Sequence, residues 1–193
     1  MISAIILAAG ESKRMGQPKM LMPWGNVNVL QHVVSVFQKA GVEDIVVVLG
    51  AERERIERIV SQYPIRCVHN EDYAVSELLS SIQCGLKALK LQTQAALIGL
   101  GDQPQVQEES VRLICEAYQN TRSELVVPSF QMRRGHPWLV ERTLWSELLD
   151  MRAPESPRDF LNRHSDKIHY VDANTATILA DLDTPEDYYS AHS

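Results

Sequence analysis

The sequence predicts an α/β fold: a single domain on a mostly parallel central sheet with helices on both faces. Three observations carry this. Short apolar, β-rich runs alternate with helically spaced segments along the 193 residues, the pattern of parallel strands joined by crossover helices. The first run, Ile2–Ala8, is apolar almost without interruption, as expected of a strand buried on both faces. The length suits one substantial core and is short for two ordinary domains, so residues 1–193 read as one unit.

The elements follow in order. After the first strand, Val29, Leu30, Val33, Val34, Phe37 and Ala40 recur at helical spacing, and Gly41 follows as a stop. Ile45–Leu49 is a second buried strand, Glu52–Ser61 a charged, exposed helix and Ile65–His69 a third strand. Ser76–Leu89 reads as a helix with Ser76 as its cap, and Ala95–Leu100 as a fourth strand. A helix at about Glu108–Tyr118 and a strand at Leu125–Pro128 come next. The polar loop Gln131–Pro137 then leads to a helix near Arg142–Leu149. A helix at Pro157–His164, a strand at Lys167–Val171 and a short C-terminal helix capped by Thr184, with Pro185 first, complete the chain.

Composition excludes several function classes. Hydrophobic residues make up 45 % of the chain, which fits a packed globule and not disorder. No run approaches the roughly 20 apolar residues of a membrane span, and Ile2–Ala9 lacks the basic start and length of a signal peptide. The expectation is a cytoplasmic protein with no membrane partner. A net charge of −6 argues against nucleic-acid binding, which needs a basic face. Cys67, Cys84 and Cys115 form no C-x-x-C pair and read as small buried hydrophobes.

The first strand ends in Leu7-Ala8-Ala9-Gly10 and runs through Glu11-Ser12-Lys13-Arg14-Met15-Gly16-Gln17-Pro18-Lys19. Small residues let backbone N–H groups approach an anion, and three cations face one acid. The stretch reads as a phosphate-binding loop, although neither G-x-x-x-x-G-K-[ST] nor G-x-G-x-x-G is present. An ordinary strand-to-helix turn with a basic rim would look similar.

Gly101-Asp102-Gln103-Pro104 follows an apolar strand directly. An acid there faces the crevice at the carboxyl ends of the strands, where it can hold Mg²⁺ against phosphates or merely cap a turn. In Asp181-Leu182-Asp183-Thr184-Pro185, alternation puts both acids on one side of an extended segment. Asp183 is the better second ligand, and the segment also serves as a helix start. Arg133-Arg134-Gly135-His136-Pro137 could grip an anionic second substrate or be a solvated loop. The remaining histidines lack ligand spacing, and G-x-S-x-G and H-E-x-x-H are absent.

Leu7-Ala8-Ala9-Gly10 through Arg14-Met15-Gly16-Gln17-Pro18-Lys19, with Leu21 and Pro23, resembles the signature loop of the nucleotidyltransferases with a Rossmann-like fold. More narrowly it resembles the molybdenum cofactor nucleotidyltransferases. Gly101–Pro104, Arg134–Pro137 and Asp181–Asp187 match further motifs in the expected order, so the likeness spans nearly the whole chain. In that family Ala-Ala-Gly and Gln-Pro-Lys tend to accompany CTP, and Ala8-Ala9-Gly10 and Gln17-Pro18-Lys19 match them.

The resemblance implies transfer of CMP from CTP to molybdopterin-bound molybdenum, with pyrophosphate released and a molybdoenzyme of the xanthine dehydrogenase type as a partner. It implies Lys19 and Arg14 on the triphosphate, with Leu7, Ala8, Ala9, Gly10 and Gly16 wrapping base and phosphates. Asp102, with Asp183, would hold Mg²⁺. Ser80 and Ser81 would contact base or ribose, and Arg134 and His136 the pterin. One departure stands out: Glu77 occupies roughly the place of a family glycine. The alternatives are GTP, a sugar- or alcohol-phosphate acceptor, or a cofactor carrier without turnover.

Overall fold

The structure, a computed structural model, describes residues 1–74 and 77–191, and of Glu77 only the backbone. Its strands and helices in chain order are β1 (Ile2–Ala8), β2 (Pro23–Trp24), β3 (Val27–Asn28), α1 (Val29–Lys39), β4 (Asp44–Leu49) and α2 (Arg53–Val60). β5 (Arg66–His69), α3 (Glu77–Ala88), β6 (Ala95–Leu100), α4 (Glu108–Thr121), β7 (Leu125–Phe130) and β8 (Arg133–Arg134) follow. β9 (Trp138–Glu141), α5 (Trp145–Asp150), α6 (Pro157–Arg163), β10 (Ile168–Asp172) and α7 (Pro185–Ala191) complete it.

The apolar run of β1 serves two cores at once. Ala4, Ile6 and Ala8 pack with Phe37 of α1, Ile56 of α2 and Ile114 of α4. Ile5 and Leu7 pack on the opposite face with Ile82 of α3, Trp145 of α5 and Phe160 of α6. Side chains alternate along a strand, so a strand covered on both faces must be apolar at nearly every position. Fully burying each large aliphatic side chain contributes about 1.5–3 kcal/mol.

The sheet order is β5-β4-β1-β6-β9-β7-β10, with β8 paired to β7. β4 and β6 run parallel to β1, β5 parallel to β4 and β10 parallel to β7. β9 runs antiparallel to both β6 and β7. The carboxyl ends of β1, β6 and β7 therefore share one edge, where the ligand crevice of such a sheet lies.

Two departures from the sequence reading bear on the site. The stretch before the fifth helix is not simply a loop, because Arg133–Arg134 and Trp138–Glu141 are strands. The latter is too short for its alternation to register, and its burial comes from lying between β6 and β7. The segment before α1 also holds a small antiparallel ribbon, β2–β3. α1 starts at Val29 as expected, with Gln31 Oε1 accepting the Asn28 N–H at 2.9 Å. Ser76, the expected cap of α3, lies outside the described residues. No helix among the described residues is long and apolar enough to cross a membrane.

Candidate active site

A cleft of about 490 Å³ opens where β1 and β6 end, lined by Leu7, Ala9, Gly10, Arg14, Lys19, Ser81, Asp102, Asp181 and Asp183 among others. The loop after β1 forms one wall. Ser12 sits in the left-handed region at φ 54°. Its carbonyl accepts the Met15 N–H and its hydroxyl the Lys19 N–H, both at 3.1 Å. Gly16 turns the chain back at φ 70°, a conformation that favours glycine. Met15 is buried with Met22, Val29 and Leu182. The loop is thus pinned from both ends, and Lys19 returns beneath it with only 8 % of its surface exposed.

The ammonium of Lys19 donates to Asp102 Oδ2 at 3.1 Å and to Asp183 Oδ1 at 2.7 Å. Arg14 reaches the other oxygen of Asp183 at 2.8 Å. The C-terminal segment is held by the same loop that carries Asp102, through the Leu182 N–H on the Asp102 carbonyl at 3.2 Å. Leu182 is buried, and its neighbours Asp181 and Asp183 both face the cleft, as alternation requires. Asp181 accepts from Gln103 Nε2 at 2.5 Å.

Burial pushes the Asp102 carboxyl above the usual carboxylate range, with Lys19 opposing. Burial pulls the other way on Lys19, but hydrogen bonds to Asp183 and Asp102 outweigh it and hold the ammonium charged. His136 is pushed down to about 4 by burial, against the field of Asp102, so its imidazole is neutral. The site is a compact set of alternating charges in a partly desolvated place, where each is worth more than in water.

Asn70 follows directly after β5. Its amide donates to Ser80 Oγ at 2.9 Å and Ser81 Oγ at 3.0 Å, fixing both hydroxyls on α3. Ser81 lines the cleft. The side chain of Glu77 lies outside the described residues. Across the sheet, a Cβ on Gly135 would fall 2.4 Å from the Ile178 carbonyl oxygen, so the chain can pass there only as glycine. That passage sets His136, whose N–H bonds Ile178 O at 3.0 Å. Arg134 is turned to Tyr170 Oη at 2.9 Å and Asn162 Oδ1 at 2.8 Å.

The sequence-derived residues fall into two groups. Leu7, Ala9, Gly10, Arg14, Lys19, Ser81, Asp102 and Asp183 meet at one cleft. Ala8 gives its side chain to the core, Gly16 makes a turn and Ser80 stands beside Ser81. His136 lies near enough to feel Asp102, while Arg134 reaches the β10 edge. Sequence reasoning missed Asn70, and it gave no separate role to Ser12 or Gln103 within the motifs that contain them. Asn70 follows a strand's carboxyl end, the same signal that marked Asp102.

No group of three or more His, Cys, Asp or Glu side chains among the described residues is arranged to hold a metal ion. Asp102 and Asp183 do converge on one point from two connecting segments. Mg²⁺ is commonly bound by one or two carboxylates together with substrate phosphates, and the residues present fit that demand.

Known proteins resemble this chain in sequence and in fold. A family model described as the MobA-like NTP transferase domain matches residues 4–168. The chain is 30 % identical to the molybdenum cofactor cytidylyltransferase of Escherichia coli K12, covering 98 % of this chain and 95 % of that one. It is 26 % identical to the nicotine blue oxidoreductase of Paenarthrobacter nicotinovorans, covering 97 % and 95 %. Rv0371c of Mycobacterium tuberculosis H37Rv superimposes with a TM-score of 0.82 at 26 % identity, covering 98 % of this chain and 96 % of that one. Its complex with manganese gives a TM-score of 0.77 at 25 % identity, with the same coverage.

Proposed function

The chain belongs to the MobA-like NTP transferase domain family and is a nucleotidyltransferase, and from that premise we propose that it moves CMP from CTP onto a molybdopterin-bound molybdenum cofactor. The observation that carries the proposal is the cluster in which Lys19 and Arg14 stand against Asp102 and Asp183 under the loop after β1. Cations placed there suit a triphosphate, and carboxylates beside them suit the divalent ion that accompanies it. CTP is favoured by Ala8-Ala9-Gly10 and Gln17-Pro18-Lys19 and by the likeness to the cytidylyltransferase.

A phosphate oxygen of the pterin attacks the α-phosphorus of CTP. The new P–O bond forms as the α–β bond breaks, and pyrophosphate leaves with the bonding electrons. The attacking oxygen is already ionised at neutral pH, so no general base is required. Catalysis rests on positioning and on stabilising charge as it spreads. Lys19 and Arg14 draw the triphosphate into line and meet the charge that gathers on the leaving pyrophosphate. The backbone from Leu7 to Gly16 wraps base and phosphates, with Ser80 and Ser81 near the base or ribose. Asp102 and Asp183 would hold Mg²⁺, which when bound neutralises phosphate charge. Arg134 and His136 flank the acceptor, with the imidazole of His136 kept neutral by burial.

Such a reaction belongs in the cytoplasm, where CTP is held, with a molybdoenzyme of the xanthine dehydrogenase type receiving the product. The test is pyrophosphate release. Purified protein with Mg²⁺, CTP and molybdopterin cofactor is expected to release pyrophosphate, and GTP, ATP and UTP are expected to be far poorer. Release with GTP alone would overturn the nucleotide assignment. A redox reaction like the one named for the Paenarthrobacter relative would give no pyrophosphate and no stabilisation by CTP.

A further inference from the structure

We propose that Lys19 has a second role, as the resident counter-ion of the two metal-holding carboxylates, so that divalent metal and triphosphate bind as an interdependent pair. The inference rests on the assignment of Asp102 and Asp183 to the metal.

The ammonium occupies the place a metal ion would need. It lies 3.1 Å from Asp102 Oδ2 and 2.7 Å from Asp183 Oδ1, with its side chain only 10 % exposed. Arg14 takes the remaining oxygen of Asp183 at 2.8 Å. Both oxygens of Asp183 are therefore engaged by cations before any ligand arrives. A Mg²⁺ ion bound to both acids needs oxygens at about 2.0–2.1 Å, which leaves no room for an ammonium between them.

Either ligand alone meets a penalty. Metal alone must expel Lys19 from its two partners and leave a buried ammonium without an anion. Triphosphate alone must draw Lys19 and Arg14 away and leave Asp102, its side chain only 21 % exposed, as an unpaired carboxylate. Together the two ligands exchange partners cleanly, with metal on the acids and phosphate on the cations. Each then raises the affinity of the other by the same factor. The chemistry of the residue suits this exchange. The Lys19 backbone is tied by its N–H to Ser12 Oγ at 3.1 Å, while the four-carbon stem lets a point charge swing from a fixed anchor.

The test uses Mn²⁺ alone as probe, with free ion counted by electron paramagnetic resonance, on the full chain. Lys19→Met and Lys19→Gln, each checked for native circular dichroism, are expected to bind Mn²⁺ roughly tenfold or more tightly than the parent, because a cation has left the site. Adding Asp102→Asn to either is expected to abolish the gain. In the parent, Mn²⁺ is expected to tighten CTP binding, and this coupling should shrink in both Lys19 variants. Unchanged or weaker Mn²⁺ binding in the folded variants overturns the proposal, as does a gain that survives Asp102→Asn. Failure of CTP to bind the parent with or without Mn²⁺ would instead sink the nucleotide reading, since the gain in metal affinity needs no nucleotide.

Discussion

Lys19 and Asp183, 164 positions apart in the chain, meet at 2.7 Å. The contact joins the loop after the first strand to the C-terminal segment, and the segment is held in turn by Leu182 on the carbonyl of Asp102. One cleft is thus assembled from the beginning, the middle and the end of the sequence. Asp183→Ala removes an anion from Lys19 and the ion-pair partner of Arg14 together. Turnover is expected to fall about a hundredfold, on the scale seen when one preorganised charge is lost. Steady-state rates at saturating CTP check this, and a rate within threefold of the parent would remove Asp183 from the site.

Asp102 is held against its preference. Burial raises its carboxyl above the ordinary carboxylate value, so the folded state binds that proton more tightly than the unfolded one. A group shifted this way stabilises the fold at low pH and loses that contribution as pH rises through its folded value. At pH 7 the ionised form is therefore a strain on the fold. Asp102→Asn is expected to keep or raise the melting temperature at pH 7 while cutting turnover about a hundredfold or more. A clear loss of stability with activity retained would show that Asp102 serves the fold and not the reaction.

His136 shifts in the opposite sense for a base. Its folded value is about 4 against an ordinary 6.5, because burial disfavours the imidazolium. Between those values the unfolded chain takes up a proton that the folded chain refuses. Stability is therefore full above about pH 6.5 and lost as pH falls toward 4, by at most about 3 kcal/mol from this one group. Urea midpoints at pH 7 and pH 5 test the point. The parent should lose more stability than His136→Gln across that interval, and equal losses would mean the imidazole is solvated.

Much of this was legible from residues alone, for identifiable reasons. A strand buried on both faces writes itself as an apolar run, so β1, β4 and β6 were read close to their true limits. Asp102 was legible because an acid directly after such a run can only lie at the strand's carboxyl end. β9 was not, since Trp138–Glu141 is short and its antiparallel place between β6 and β7 is decided by tertiary pairing. The meeting of Lys19 with Asp183 follows from the course of the chain and not from local spacing. Arg134 was singled out by charge, and geometry shows its guanidinium 5.6 Å from the centre of the Tyr170 ring as well as bonded to it.

On the proposed reading, Arg134 faces the acceptor and not the nucleotide. Its partners Tyr170 and Asn162 lie on β10 and α6, away from the residues that line the cleft. Arg134→Ala is expected to raise the KM for the pterin acceptor about tenfold, the loss of one charge-assisted contact. The KM for CTP should stay within twofold. An equal rise in both constants would place Arg134 in the nucleotide site, and no rise in either would leave it as a tie between strand and helix.

Asp44 provides the contrast, because it lies at the end of the sheet opposite the cleft. Its buried carboxylate accepts from Arg66 at 3.0 Å and pairs with Lys90 at 2.9 Å. Burial alone would raise its proton affinity, but bonds from Lys90, Ser3 and Arg66 outweigh burial and lower it. The stabilisation is present above the ordinary carboxylate range and is lost as pH falls through the lowered folded value. Both cations are more than a third exposed, which screens the pairs. Asp44→Ala is accordingly expected to cost about 1–3 kcal/mol rather than the full value of a buried pair. The kcat and both KM values of the folded fraction should be unchanged. A fall in kcat without a fall in melting temperature would show that the two ends of the sheet are coupled, contrary to the separation seen between the Asp44 network and the Lys19 cluster.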